Sequence, residues 1–590
     1  MGQSMVEHAF ADPALLAVQI SRRLPLGARM LMGGVLESAS AALPSVAALG
    51  AVMAGDMLNA RRLVGEVLEA GRPSRLAGEI AILLNRTDLV GDTAPARTRA
   101  RAAWSRGDLE GALQILRDAC LNGDGYALLL RSELDLLRTG RRLPLAAGLS
   151  LPDRSSTNAK PAPFEGLRVL HVVTNSLPHT QSGYTLRTHR ILRALTDAGV
   201  RSMALTRTGY PVMVGKVGAA REDSVDGINY RRTLPLFLAR TPEQRLLQQV
   251  HEALAVVREF RPDIIHTTTD YRNALVGQAV ARATGLPWIL EARGLMEKTW
   301  VASQFSESAR AEAKRSQRAR LIAAREGELA RSADAVVTLS RTMAGEFVAR
   351  GVEPGAITII PNGVDAELLE RHLSPAEARR SVALDRSDAF VVGAVSALVD
   401  YEGFDTLLRA AAEIVHGRCG RPELWEKLVV VLAGDGTAAP GLSSLARSLG
   451  ISDRVVLPGR VPRRSARDWV QALDAVVVPR RDVEVARFVT PQKPVEALAL
   501  GRPVIISDLP ALRETITAED GTSCGIVVPP DDHVALAGAI ARLHDDPGMT
   551  VGLVEAGRCL AAERTWPSLV RRYSDAYARA MTRRDERRTG

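Results

Sequence analysis

The stretch Leu167-Arg168-Val169-Leu170-His171-Val172-Val173 decides the fold. It is a strand of the buried type. It is followed by a loop holding Gly183 and then by an amphipathic pattern from Leu186 to Ala198 that stops at Gly199. Strand, glycine-bearing loop and helix form one βα unit, and the same alternation continues on both sides of a later boundary. Buried-type strands are expected at Ile264-Ile265, Trp288 to Leu290, Val336 to Leu339 and Ile357 to Ile360, with helical patterns between them. A second series follows at Val391 to Val395, Leu428 to Ala433, Val455 to Leu457, Ala475 to Val478 and Pro503 to Ile506. Parallel sheets wrapped by helices read this way, so the expected fold class is α/β, with two Rossmann-like domains in tandem facing across a cleft. The charged segment Glu307 to Arg331 is expected on the surface of the first.

Upstream, residues 1–140 are rich in Ala, Leu and Arg, with apolar positions recurring at three and four, and are expected to form an all-α domain. Gly55-Asp56 with Ala60 recurs as Gly107-Asp108 with Ala112, each followed by a helical pattern. The segment Trp104 to Ala112 resembles a tetratricopeptide helix junction. Such an array offers a docking surface for a protein partner or for the chain's own next domain, while a bundle that only packs is slightly favoured. The apolar stretch Leu31 to Met53 is interrupted by Glu37 and Pro44 and reads as helical core. Residues 141–164, polar and punctuated by proline, read as a linker. The expected domains are therefore 1–140, 141–164, 165–375, 376–565, and a helix with a basic tail over 566–590.

The chain has 590 residues, 46% of them hydrophobic and 24% charged, which excludes a disordered or collagen-like protein. Cys120, Cys419, Cys524 and Cys559 lie far apart with no Cys-x-x-Cys pair, so neither a disulfide framework nor a zinc ribbon is expected. A reducing, cytoplasmic setting fits, and Glu7, His8 and Asp12 precede any basic residue, the wrong order for a secretory leader. The net charge of +9 invites a nucleic-acid reading. The arginines, however, are spread among 67 acidic residues instead of clustering, so no nucleic-acid partner is expected.

Ligands of open parallel sheets bind beyond the carboxyl ends of the strands, and the loops there carry the functional signal. Gly183 precedes a helix whose N-terminus can meet a phosphate, although an ordinary tight turn reads the same way. Further loop sequences are Ser182-Gly183-Tyr184, Pro262-Asp263-Ile264-Ile265-His266, Glu291-Ala292-Arg293-Gly294 and Pro361-Asn362-Gly363-Val364-Asp365. The second series adds Ala433-Gly434-Asp435-Gly436, Pro458-Gly459-Arg460-Val461 and Glu496-Ala497-Leu498-Ala499-Leu500-Gly501-Arg502-Pro503-Val504. In this order and spacing they resemble the retaining glycosyltransferases of family 4, which have the GT-B fold. Thr490-Pro491-Gln492-Lys493-Pro494-Val495-Glu496 is similar to a subgroup with a Thr-Pro-x-Lys-Pro-x-Glu segment.

The resemblance implies transfer of a sugar with retention of configuration from a nucleotide-sugar co-substrate, a UDP-sugar, to a glycan, a lipid-linked or a small-molecule acceptor. No cofactor or metal is implied, and no Asp-x-Asp pair occurs in the sequence. Retention is implied to proceed by departure and attack on one face, the leaving phosphate taking the acceptor proton. Glu496, at a helix start pre-set by Pro491 and Pro494, can accept the hydroxyls of a ribose. Donor-binding candidates are Gly183, Glu291, Arg293, Asn362, Arg460, Thr490 and Glu496.

The chain departs from the family pattern at three places. Position 488 is Phe where many members carry a first glutamate, and Ala397 and Glu402 stand where an arginine and a lysine commonly hold the donor diphosphate. Compensating charge must come from elsewhere, and Lys493 and Arg480 are the candidates, with Arg481 and Arg487 beside them. His266 is a catalytic candidate that could bond the donor sugar; a satisfied core histidine is the competing reading. Glu291 and Arg293 could equally form a structural ion pair or grip the acceptor. The tail Arg571 to Arg588 could touch an anionic membrane at the inner face, although a helix packing back on the first domain is favoured. The alternative to an enzyme is a catalytically degenerate binding or assembly protein that uses its helical domain for partners.

Overall fold

The computed structural model describes residues 26–37, 43–70, 74–145 and 164–589, apart from 217, 305, 371–372, 387 and 418–421. Cys419 and most of the expected linker, 146–163, lie outside the described residues. Residues 141–145 are anchored: Leu143 is buried in the first sheet domain's core and Arg141 pairs with Glu243 at 2.6 Å.

Among the described residues, fourteen strands form two sheets. The first contains β1 (Arg168–Val173), β2 (Arg201–Thr206), β3 (Glu222–Val225), β4 (Ile228–Arg232), β5 (Ile264–Thr268), β6 (Trp288–Ala292), β7 (Ala335–Thr338) and β8 (Ile357–Ile359), in the order β3-β4-β2-β1-β5-β6-β7-β8. All its pairings are parallel except the β3–β4 hairpin. The second contains β9 (Phe390–Val395), β10 (Leu428–Ala433), β11 (Val455–Gly459), β12 (Ala475–Val478), β13 (Val504–Ser507) and β14 (Ile526–Val528), all parallel, in the order β11-β10-β9-β12-β13-β14. Each sheet is covered on both faces, which is why its central strands are largely apolar, with His171, His266 and Glu291 among the buried polar exceptions in the first. The β2, β3 and β4 strands carry no comparable apolar run, and the hydrophobic pattern alone does not reveal them; β14 is a short apolar run, Ile526-Val527-Val528, absent from the expected strands.

The helix Trp566–Thr589 returns from the second domain to the first. Its Trp566, Tyr573, Ala576, Tyr577 and Ala580 are buried against Val169, Ile264, Ile289 and Val337. Its arginines are engaged as well. Arg584 and Arg588 donate to the carbonyl of Gly285, the C-cap of helix Tyr271–Thr284, and Arg587 pairs with Asp334 at 3.1 Å. Arg579 donates to Ile357 and Thr358, and Arg583 pairs with Glu353. The basic tail is thus a fastening of the last helix to the first domain, where cations meet carbonyls at a helix C-terminus, and this replaces its alternative reading as a membrane contact.

The N-terminal helices form a layer outside that domain. Both Gly-Asp repeats are helix junctions: Gly55 and Gly107 are left-handed C-caps at φ 97° and 89°, and Asp56 and Asp108 then cap the next helix by accepting from Asn59 N and Gly111 N. The second junction docks. Gln317 Oε1 accepts from Leu109 N and Glu110 N, Arg318 N donates to Gly107 O, and the Arg318 guanidinium lies over Trp300. Leu109, Leu113, Leu116, Leu130 and Leu134 share one core with Leu246, Val250, Ala274 and Leu275. The expected surface helix 307–331 is instead broken at Ser316, the N-cap of Gln317–Ser332. That second helix is buried, because Arg325 donates to the carbonyls of Leu136 and Arg141 at the end of the helical layer.

Candidate functional site

The two sheets bring their loop-bearing carboxyl ends to one seam. In the second domain, backbone contact between loops sets the floor. Ser396 N donates to Ala433 O, Leu398 N to Asp435 O and Arg481 N to Tyr401 O. Such close approach requires glycine: a Cβ on Gly434 would lie 1.7 Å from Ser396 O, and one on Gly403, at φ +71°, 1.9 Å from Pro479 O.

Above this floor starts the helix Lys493–Ala499, with Pro494 in its first turn. Lys493 Nζ pairs with Glu402 at 2.9 Å and bonds Ser396 Oγ. Arg480 pairs with the same carboxylate at 3.0 Å and donates to Val489 O at 3.1 Å. The two cations differ in access: the Lys493 side chain is 24% exposed and that of Arg480 only 7%. Arg480, expected with Lys493 to compensate the donor diphosphate, is the more enclosed of the two and braces Glu402 from behind. Burial would raise the Glu402 carboxyl, but Lys493 and Arg480 together hold it below the ordinary value. Burial pushes the Lys493 ammonium down, and Glu402 opposes that push.

Glu496 is partly exposed and accepts from Arg190 of helix Gly183–Asp197 at 3.2 Å; Arg190 also pairs with Asp365 at 3.1 Å. Arg460, at the end of edge strand β11, is exposed and has no side-chain partner among the described residues. Phe488 packs against the core of the first domain, and the Lys298 ammonium sits 4.3 Å from its ring centroid. The residue standing in place of the family's first glutamate thus makes an interdomain contact, beside the Lys298–Glu484 pair at 2.8 Å.

Other expected site residues are inside the protein. Glu291 is fully buried, accepting from Arg187 at 3.0 Å, Arg293 at 3.0 Å, His266 Nε2 at 3.1 Å and the Tyr573 hydroxyl at 3.3 Å. Burial would raise its carboxyl, yet Arg293, Arg187 and His266 hold it well below the ordinary range. His266 is enclosed between Glu291 and Tyr577. This arrangement is that of the competing reading, a satisfied core histidine, and Glu291 likewise has the partners of a structural ion pair. Asn362 is buried too. Its Oδ1 accepts from Arg187 at 2.9 Å and its Nδ2 donates to Thr490 O at 2.8 Å. The series Glu291, Arg187, Asn362, Thr490 runs from the first sheet to the segment carrying Lys493. Nothing in the sequence marks Arg187, which sits inside an ordinary amphipathic helix.

Arg293, itself buried, is the member of this network that borders a cavity. With Thr174, Asn175, Ser182, Thr185, Thr269 and Asp270 it lines a cavity of 260 Å³ at the carboxyl ends of β1, β5 and β6. Gly183 stands at its rim, where an added Cβ would meet nothing within 4 Å. Arg293 Nε and Asn175 Oδ1 are buried there without a hydrogen-bond partner. The cavity is rich in hydroxyls and suited to a polyhydroxylated ligand.

Residues 182–363 match the family described as Glycosyl transferase 4-like domain, and residues 389–546 match Glycosyl transferases group 1. A D-inositol 3-phosphate glycosyltransferase of Streptosporangium roseum is 30% identical over 262 residues, covering 43% of this chain and 57% of its own length. The chain thus spans little more than half of that relative. Sucrose-phosphate synthase of Thermosynechococcus elongatus superposes with a TM-score of 0.53 at 21% identity, over 70% of this chain and 99% of that one. Anabaena HepE in complex with UDP and glucose superposes with a TM-score of 0.52 at 17% identity, over 70% and 99%. At these identities the superpositions establish a common fold.

Proposed function

We propose, from the premise that the two sheet domains belong to the Glycosyl transferase 4-like and group 1 families, that this chain moves a sugar from a nucleotide diphosphate donor to an acceptor hydroxyl with retention of configuration. The observation that carries the reading is the placement of Lys493 and Glu496 on one helix start, at the seam and over glycine-closed loops. The helix N-terminus and the Lys493 ammonium favour the diphosphate, and the Glu496 carboxylate accepts ribose hydroxyls. Arg460 is the open cation at the far end of the same sheet edge. UDP is the proposed nucleotide, and the presence of UDP with glucose in the complex of Anabaena HepE supports that choice. The relatives named as glycosyltransferases favour turnover over the binding-only alternative.

The acceptor is proposed to occupy the 260 Å³ cavity, where Arg293, Asp270 and the threonines meet its hydroxyls. The bond from the sugar's anomeric carbon to the donor phosphate breaks as the acceptor oxygen bonds that carbon from the same face. The acceptor proton passes to the departing phosphate, whose charge Lys493 compensates. A thermal-shift panel of UDP, GDP and their sugars on wild type and Glu496→Ala tests the reading, since ligand at a hundred times its Kd adds about 2.7 kcal/mol of stability. Stabilisation by UDP that Glu496→Ala diminishes is expected; a response to GDP alone would overturn the assignment.

A further inference from the structure

Two segments of the first sheet domain, 211–221 after β2 and 234–240 after β4, contain no acidic residue. Four large apolar side chains on them face solvent: Leu236 is 88% exposed, Phe237 72%, Met213 45% and Val214 38%. Lys216, Arg221 and Arg240 on the same segments are exposed, and their side chains have no partner among the described residues. Elsewhere on this arginine-rich chain the cations are commonly tied to carboxylates or carbonyls, as on the last helix.

The two segments form one corner. Gly209 N donates to Thr233 O at 2.8 Å, and a Cβ on Gly209 would lie within 4.0 Å of both Leu238 and Met213. The second loop is held by its backbone: Gln248 bonds Phe237 O at 2.7 Å and Ala239 N at 3.2 Å, and Arg245 Nε donates to Ala239 O at 2.7 Å. Leu236 and Phe237 are thus displayed outward from a fixed loop. Tyr210, beside Gly209, donates to Ser176 O at 2.6 Å and contacts Thr180 Oγ at 2.9 Å, on the loop between Thr174 and Ser182 that lines the hydroxyl-rich cavity. The corner is therefore braced directly against one wall of that cavity.

We propose that this corner is a membrane-docking surface, Leu236 and Phe237 entering the headgroup boundary of an anionic bilayer while Lys216, Arg221 and Arg240 meet lipid phosphates. The argument is one of charge and polarity together. Exposed leucine and phenylalanine gain by leaving water, and unpaired cations with no carboxylate in either segment gain beside negative headgroups; an anionic interface satisfies both at once. The corner takes the place of the C-terminal arginines, which the fold ties to the first domain.

Flotation of the full chain with vesicles of phosphatidylcholine, with and without phosphatidylglycerol, tests the proposal. Binding only to the anionic vesicles is expected, abolished by Leu236→Asp/Phe237→Asp and weakened about fivefold for each of Lys216→Glu, Arg221→Glu and Arg240→Glu. A Phe237→Trp variant is expected to show a blue-shifted emission on those vesicles. Failure of the wild type to float, equal binding to both vesicles, or flotation indifferent to the Asp substitutions would overturn docking here. So would a dimer in solution that the Asp substitutions dissolve without any vesicle binding, which would assign the corner to a second copy. Thermal shift by UDP, measured on the same variants, keeps the readings apart. A wild type that binds UDP but does not float sinks the docking surface alone, and flotation without any nucleotide binding sinks the transferase reading alone.

Discussion

Lys493 Nζ lies 2.9 Å from Glu402, a carboxylate standing where the resembling family commonly carries a lysine. On the proposed reading, the positive charge that meets the diphosphate comes from the helix start opposite the loop after β9, and Glu402 of that loop is its counter-ion. Burial lowers the Lys493 pKa and Glu402 resists the lowering, so the ammonium depends on its partner. In Glu402→Gln the resistance is gone and Lys493 gives up its proton at lower pH. The alkaline limb of UDP affinity is expected to move to lower pH in Glu402→Gln and to stay near wild type in Glu402→Asp. Calorimetric titrations across pH check this, and superimposable profiles for wild type and Gln would contradict it.

Glu291 fastens the first domain instead of binding substrate, so its loss should appear in stability. Removing one member of a buried, paired network costs about 3–5 kcal/mol. The folded carboxyl titrates well below its ordinary 4.5, so the stabilisation is complete above that pH and is lost as pH falls towards the folded value. Denaturation of wild type and Glu291→Gln should therefore show a full gap at neutral pH that narrows below pH 4.5. A gap that widens in acid would refute the sign.

Much of this architecture was legible in the sequence, for a physical reason. Strands buried on both faces are rich in apolar residues: β9, β10 and β12 are apolar throughout, while β1 and β5 show apolar runs interrupted by His171 and by His266-Thr267-Thr268. The β3–β4 hairpin shows no such run, because its strands are charged: Glu222 of the edge strand β3 pairs with Arg231 of β4, and Asp223 pairs with the buried Arg232. The close approaches at Gly434 and Gly403 are not read from the sequence, where Gly434 stands only as a member of a loop motif and Gly183, with nothing within 4 Å of an added Cβ, draws the structural reading instead. Which polar residues face the cleft was not legible. His266 reads as a strand-end residue but is the middle residue of β5, and Glu291 stands one residue before the end of β6; Tyr577 and Tyr573, returning from the last helix, help to enclose them.

The helical layer is expected to be inseparable from the first sheet domain. A Cβ on Gly107, at φ +89°, would lie 2.5 Å from Ser316 Oγ and 2.7 Å from Trp300. Gly107→Leu therefore combines left-handed strain with overpacking and should cost about 2 kcal/mol or more. Thermal denaturation against a control at Gly91, where a Cβ meets nothing within 4 Å, checks it. Equal melting temperatures would show that the layer is not docked through this junction.

Arg480 is buried behind Glu402 while Lys493 is partly exposed beside it, so on the proposed reading their substitutions should separate. Lys493→Ala is expected to lower the rate of transfer by about 2–4 kcal/mol of lost transition-state stabilisation, the scale of a single oxyanion donor. Arg480→Ala is expected to lower the melting temperature as well as the rate, because it strips a buried partner from Glu402. Rate and melting measurements on both variants check the split, and an Arg480→Ala protein of unchanged stability would contradict it.

The most direct measurement of the central claim is the affinity of UDP for wild type and Lys493→Ala in the presence of a chelator. If a protein ammonium meets the diphosphate, wild type binds UDP undiminished in the chelator and Lys493→Ala binds it at least about tenfold more weakly. Binding that vanishes with the divalent ions, or that is untouched by the loss of Lys493, would contradict the account.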